Sequence, residues 1–426
     1  MGDGVAELKV ASRFGKLKLA RQMMFNKETN VHHIPGNAVL PPHEGMVTTR
    51  GLQEWACLLP GELPFASAAR LLNWETQEAN ILSDTTLRNL VKAHGCLIRE
   101  AEAAEVEALW QHPNLLELQP VLVDNQPARL RASWPAELND AVEAALAAGA
   151  ERPPEGVSSA DWERVLVRHQ QDETLPASQL RRLGPEVQAD ELLVTTDEVL
   201  TRKPQKRRFW ELRTAKVVTA QGYRYLSGVG DSFLQRLFLM LLILGLGRHR
   251  TCLLLADGAR WIRNFFTDYL SEASRVQMIL DWYHLRKKGY QLSSMICRGK
   301  AAKTRFLATL FYHLWRGDVA QAVVYLEGYR PQAKNLEKLD ELINYLQARK
   351  EFIPNYRQRR SQRQYIGSGH AEKANDLIVA RRQKKKGMHW SLETSDALAA
   401  LKTVMLNGGW DMYWSEHKVL PLAVPT

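Results

Sequence analysis

The 426-residue chain is poor in cysteine and carries no long hydrophobic run. Its four cysteines, Cys57, Cys96, Cys252 and Cys297, lie far apart and form no Cys-x-x-Cys pair. That spacing excludes a disulfide scaffold and a zinc knuckle, and it fits a reducing cytoplasm. The greasiest stretch, residues 238–247 (FLMLLILGLG), spans ten residues. A membrane helix needs ~20, so the stretch reads as a buried helix and no membrane partner is expected. The opening MGDGVAELKV lacks a basic segment followed by an apolar one, so no secretory signal is visible. Low complexity is lacking too, because 12 Trp, 12 Tyr and 11 Phe supply ample core aromatics. What remains is a globular chain long enough for two or three domains.

Charge is present, and unevenly placed. Residues 1–100 carry 11 basic and 10 acidic groups, and residues 101–200 carry 7 and 19. Residues 201–400 carry 37 and 16, a net of +21, and the last 26 residues balance. A half-chain with that excess suits a polyanion such as nucleic acid, with salt-sensitive affinity. Charge alone is also compatible with an ordinary solvated face.

Alternation over residues 8–26 predicts a β-hairpin turning near Gly15. Residues 47–58 and 64–73 read as short helices, and Ser83 or Asp84 caps a third that closes at Gly95. Helix, turn and capped helix bearing Arg88, Asn89 and Lys92 fit either a helix-turn-helix DNA reader or a plain helical bundle. Residues 113–190 hold eight prolines and an excess of acid, and read as a linker with one or two helices. From 191 the order is β-β-β-α-β-α-β-α, three meandering strands followed by α/β crossovers. Residues 300–350 read as helix only, with breaks at Gly317, Gly328 and Pro331.

An acid at the end of an apolar strand is costly to bury unless something pairs with it. There are two: Asp197 in LLVTTDEV and Asp257 in TCLLLADG. If the first and fourth strands lie side by side, their carboxylates share one sheet edge and repel unless a cation neutralises them. Hard oxygen donors in a dry cleft suit Mg²⁺ or Mn²⁺. A third acid from a helix on that edge would complete a two-metal site, and Glu372 is the candidate. Its helix opens at GSG and carries Lys373, Arg381, Arg382, Lys384, Lys385 and Lys386.

The strand order and the three acids resemble the RNase H-like core of DDE transposases. More narrowly, DGARWI, LDWYH, GSGHAEKAN and RQKKKGMHWS, followed by ALAALKTVMLNGGWDMYW, are similar to bacterial insertion-sequence transposases of the ISKra/ISLre-like group. The resemblance covers about residues 190–415 and, more loosely, 8–110. It implies an α/β fold with an RNase H-like catalytic core at 191–285 and 356–426, flanked by helices. A helical insertion would occupy 286–355, an acidic linker 113–190, and a mainly helical DNA-binding region 1–112. The implied activity is cleavage of element ends and joining of their 3′-hydroxyls to target DNA, with Asp197, Asp257 and Glu372 as catalytic residues holding two Mg²⁺ or Mn²⁺ ions. A bacterial cytoplasmic, nucleoid-associated protein follows, acting on double-stranded DNA as a homo-oligomer.

In the wider mutator-like branch a D/C-x-x-H motif follows the second acid, and Asp281-Trp282-Tyr283-His284 matches it, making Asp281 and His284 accessory candidates. Arg88, Asn89, Lys92, Arg207, Arg208 and the cations after Glu372 are then the expected DNA contacts. Relatives often carry a cysteine-containing N-terminal segment, which has no counterpart here. Beside these readings stand plainer ones. Asp257 could cap the following helix, Glu372 could complement a helix dipole, His284 could be a satisfied half-buried histidine, and Glu198 could replace Asp197 as first ligand. Two other functions share the pattern: a decayed or domesticated DNA-binding protein, and a nuclease that cuts without joining.

Overall fold

The alternation at the N-terminus does close a hairpin. In the computed structural model, β1 (Gly2–Ser12) and β2 (Gly15–Asn26) pair antiparallel outward from Ser12 and Gly15. β3 (Val31–His33) joins β2, and β4 (Met46–Thr48) joins β1 in parallel. The described residues are 2–35, 46–124, 187, 189–205, 208–271, 275–362 and 364–425, with scattered positions between 141 and 162.

Three helices follow: α1 (Arg50–Leu58), α2 (Phe65–Glu75) and α3 (Asp84–Trp110). Ser83 caps α3 by accepting the Thr86 amide N–H at 3.0 Å. The helix does not close at Gly95, as the sequence suggests; it runs 27 residues. Gly95 is there for contact. A Cβ at that position would overlap Ala397 of a later helix, so the missing side chain lets two helices touch.

A six-stranded mixed sheet organises the rest. β5 (Gln119–Pro120) and β6 (Val123–Asp124) arise in what the composition marks as linker. β7 (Glu191–Arg202), β8 (Phe209–Val218) and β9 (Gly222–Gly228) meander antiparallel. After α4 (Gly230–Ile243), β10 (Thr251–Ala256) returns parallel to β7. After α5 (Arg260–Phe265), β11 (Val276–Leu280) lies parallel to β10. The spatial order is β11-β10-β7-β8-β9-β6. The first and fourth strands of the expected meander are thus neighbours.

Both sheet faces are buried, which is why the parallel strands read as unbroken apolar runs. Leu192 and Val194 of β7, with Cys252 and Leu254 of β10, pack against α4, α5 and the end of α3. Leu193, with Leu253 and Leu255, faces the opposite way. That second face is covered by α6 (Trp282–Ile296), α7 (Lys300–Trp315), α8 (Val319–Gly328), α9 (Leu336–Gln347) and α10 (Tyr356–Ser361), the expected all-helical stretch. α11 (Gly369–Asn375) continues through a π turn (Asp376–Ala380) to Gln383 and lies on β7 and β8. α12 (Leu392–Leu406), α13 (Trp410–Glu416) and β12 (Ala423–Val424) complete the chain, with β12 pairing β5.

α12 and α13 are built into the N-terminal helices. Leu52, Leu72, Leu87, Val91 and Ile98 share one core with Trp390, Leu398, Leu401, Tyr413 and Trp414. Beside it, Arg99 donates to both Asp396 oxygens (3.0 and 2.7 Å), to Glu102 (2.7 Å) and to the Ser227 carbonyl (2.8 Å). Glu102 in turn accepts from Arg236. Removing one member of such a buried network costs about 3–5 kcal/mol, because the others keep their charge without a partner. No helix among the described residues is long and apolar enough to cross a membrane.

The α3–α12 crossing yields the first prediction. On an open helix Gly→Ala stabilises by about 1 kcal/mol. At Gly95 the added methyl meets Ala397, and overpacking of about 1–3 kcal/mol opposes that gain. Gly95→Ala should therefore lower the thermal midpoint, and adding Ala397→Gly should not restore it, because the Cα of residue 397 would itself lie 2.4 Å from the new methyl.

Candidate active site

Parallel pairing fixes where the two strand-end acids fall. Leu255 of β10 is paired with Thr195 of β7. Asp257 and Asp197 each lie two residues further on, on the same face parity, so both come out at one end of the sheet. Burial above all, and then the charge of Asp257, push the Asp197 carboxyl up to about 6.

Asp197 is held by its surroundings. One oxygen accepts the Glu198 backbone N–H at 2.8 Å, and the other accepts the Asn375 side-chain amide at 2.7 Å. Asn375 is itself clamped, its carbonyl oxygen accepting from the Thr214 hydroxyl. Thr214 is the residue opposite Asp197 in the β7–β8 register. Hydroxyl, amide and carboxylate thus form one chain across β8, α11 and β7. Glu198 alternates to the opposite face, where it accepts from the Trp261 indole N–H. Its carboxyl is raised mainly by burial. The first-acid position facing α11 is therefore Asp197.

Asp257 sits just past β10 and accepts the Ala259 amide at 2.8 Å, a turn that precedes α5. The plainer reading, a cap on the following helix, is not met: the N-cap of α5 is Ala259, no side chain caps it, and Asp257 only closes the turn before it.

Asp281 is buried and fully spent. One oxygen caps α6 by accepting from Tyr283 N–H (2.6 Å) and His284 N–H (3.4 Å). The other accepts from the Ser368 backbone N–H (2.7 Å) and the Ser368 hydroxyl. Burial alone would raise its pKa; the His284 and Ser368 contacts outweigh it and hold the carboxyl below its ordinary value. Asp281 therefore fixes the Gly367–Ser368 turn from which α11 departs. His284 Nδ1 lies 3.2 Å from Asp281. That carboxylate first, then the charges of Asp257 and Asp197, raise the imidazole pKa against its burial. The ring is thus oriented by Asp281 and sits within the field of both strand-end acids.

Glu372 is exposed on α11, three residues before Asn375, on the same side of the helix. The residue that touches Asp197 is Asn375. Among the described residues no group of three or more His, Cys, Asp or Glu side chains is assembled to hold a metal ion. Two carboxylates are brought together, and the third expected acid stands at their margin. Their chemistry fits a hard divalent cation, since two half-buried carboxylates of like charge have no Lys or Arg salt bridge among the described residues and leave positions for water or phosphate oxygens.

The expected DNA contacts divide. Lys373, Arg381, Lys384, Lys385, Lys386 and Arg208 are exposed, and Arg207 lies outside the described residues. Arg382 is turned inward, a correction to the sequence reading. Its guanidinium donates to the Pro60 carbonyl at 2.6 Å and lies 4.9 Å over the Trp390 ring, because a basic run on a packed helix must bury one face in three or four. Lys92 pairs with Glu393 at 2.9 Å, and Arg88 lies 5.2 Å over the Phe65 ring, leaving Asn89 exposed beside it. Asn375, Thr214 and Ser368 were not anticipated. A signal existed for the first: Glu372 and Asn375 are spaced i, i+3 on one helix.

The raised Asp197 pKa makes a prediction about stability. An unfolded Asp titrates near ~3.9, so between about pH 4 and 6 the native state holds a proton that the unfolded state has lost, and stability falls as pH rises. Asp197→Asn removes that loss while keeping an acceptor for Asn375. Without divalent metal the variant should be about 2 kcal/mol more stable than the parent at pH 7–8 and equal below pH 4. Mg²⁺ should stabilise only the parent. Denaturant titrations at both pH values check this.

No model of a known protein family matches the chain, and no curated protein matches it.

Proposed function

We propose that the chain is a divalent-metal-dependent DNA transposase with an RNase H-like core. The observation that carries this reading is the convergence of Asp197 and Asp257 at one end of adjacent parallel strands, beside the helix that bears Glu372. The sheet order, with three antiparallel strands followed by two parallel ones next to the first, is the order that such a core requires.

Asp197 and Asp257 would hold the cation, and Glu372, three residues before Asn375 on α11, would join them. When bound, divalent cations activate the attacking oxygen and stabilise the leaving one in phosphodiester chemistry. Asn375 keeps the Asp197 carboxylate aimed, and its own hydrogen bond from Thr214 keeps it from rotating. His284, with Nδ1 turned to Asp281, leaves Nε2 to donate to a phosphate oxygen. The exposed Lys373, Arg381, Lys384, Lys385 and Lys386 supply sequence-independent backbone contacts along the same helix and the loop after it. Arg88 and Asn89 on α3 are the surface proposed to read the element ends. Since α3 is part of a core shared with α12, that role is tested by substitution of Arg88 and Asn89 and not by truncation. Action as a homo-oligomer on paired ends belongs to the same proposal.

The exposure of Glu372 favours a second reading, a DNA-binding protein that keeps the fold without the chemistry. One experiment separates them: cleavage and strand transfer on a plasmid carrying the element's ends, with and without Mg²⁺. The transposase reading expects Mg²⁺-dependent cutting, lowered at least about a hundredfold by Asp197→Asn, Asp257→Asn or Glu372→Gln, as for loss of a ligand. DNA affinity should barely change, because lysines and arginines supply it. Cutting by Glu372→Gln at the parent rate removes that residue from the site. Cutting without joining assigns a nuclease, and no cutting by the parent assigns the binding protein.

A further inference from the structure

Helix α6 leaves the site with an outer face that no other described residue covers fully. Tyr283 is 55% exposed and Tyr290 43% exposed, with exposed Lys287 and half-buried Arg286 between them. The spacing 283, 286–287, 290 puts all four on one side of the helix. α6 contains no acid, and Lys288 points elsewhere, to Glu341 at 2.7 Å. The Arg286 guanidinium lies 5.7 Å from the Tyr290 ring and the same distance from Phe311, so it rests among rings, and it makes no salt bridge among the described residues.

This face begins at the reacting end. A Cβ on Gly367 would lie 2.6 Å from the Tyr283 ring, so that ring is seated on the turn that Asp281 grips through Ser368. His284, the next residue, is in the field of Asp197 and Asp257. Two accessible rings on an acid-free, basic face match a partner that offers both flat π surfaces and negative charge. An unpaired nucleic-acid strand offers both. A duplex offers its phosphates but keeps its bases stacked inside. Tyr283 and Tyr290 are about 10 Å apart along the helix axis, seven residues at the helical rise, room for two or three nucleotides.

We propose that the outer face of α6 carries an unpaired strand away from the carboxylate site, with one base stacked on Tyr283 and the strand passing over Lys287 toward Tyr290. This rests on the DNA-acting reading above and adds a ligand class to it: single-stranded nucleic acid at the reacting end.

The test uses the full chain without divalent metal and two fluorescent probes of one mixed sequence, a single strand of about 12 nucleotides and its duplex. Anisotropy should show that Tyr283→Ala weakens single-strand binding about tenfold while changing duplex binding less than about twofold, and that Tyr283→Phe, which keeps the ring, binds like the parent. Tyr290→Ala, whose ring does not touch Gly367, should give a smaller loss of the same kind, so misfolding at Tyr283 cannot hide the answer. Equal losses on single strand and duplex, a Phe variant as weak as the Ala variant, or no loss in either Ala variant would each overturn the proposal. Failure of the function reading is distinct: it appears as absent metal-dependent cleavage with the single-strand preference intact.

Discussion

Two carboxylates emerging at one end of adjacent parallel strands are the constraint around which the six-stranded sheet and its helices are arranged. Parallel pairing of β7 and β10 leaves no freedom in where Asp197 and Asp257 come out. Both strands are covered on both faces, and burial, with the charge of Asp257 added to it, pushes the Asp197 carboxyl up to about 6. A fold that only needed stability would place apolar side chains there. The fold instead surrounds one acid with oriented donors, Glu198 N–H and the Asn375 amide, and sets a histidine within the field of both acids. Such an arrangement holds a charge ready for a cation more than it hides one.

The surrounding hydrogen bonds lock α11 to that pair from two ends. Ser368 at its start is tied to Asp281, which also caps α6, so the helical insertion and α11 share one anchor. Asn375, two turns on, is tied to β7 and β8 at once. Beyond it, the chain turns back to lay Trp390 and α12 onto the N-terminal helices, and the Arg99 network fastens α3 to β9, α4 and α12. A surface on α3 is therefore mechanically continuous with the site, through packed helices and without a flexible joint among these elements.

Much of this was legible in the sequence where a single physical rule decides. The strand ends at Asp197 and Asp257 were readable because an acid closing an apolar run is costly without a purpose. The helical stretch after β11 was readable from its period and its glycine breaks. Where tertiary contact overrules local preference, reading fails. Gly95 has the look of a helix stop, yet its role is to admit Ala397. Arg382 belongs to a basic run, yet one face of that run is core and receives it over Trp390. Residues 119–124 lie in a proline-rich, acidic region, yet they supply strands that pair with β12 and β9. The site was only half legible for a related reason. Carboxylates announce themselves through desolvation cost, whereas Thr214 and Asn375 act through neutral hydrogen bonds that leave no charge pattern. Glu372 was placed by motif, and its side chain remains outside the pair that the sheet assembles.

Anomalous scattering from crystals grown with Mn²⁺ and a DNA end decides whether Asp197 and Asp257 form a divalent-cation site for DNA chemistry. Manganese should lie against both carboxylates, with Glu372 brought in beside it. Manganese absent from the ends of β7 and β10, or bound at other residues while Asp197 still holds only Asn375, would contradict such a site.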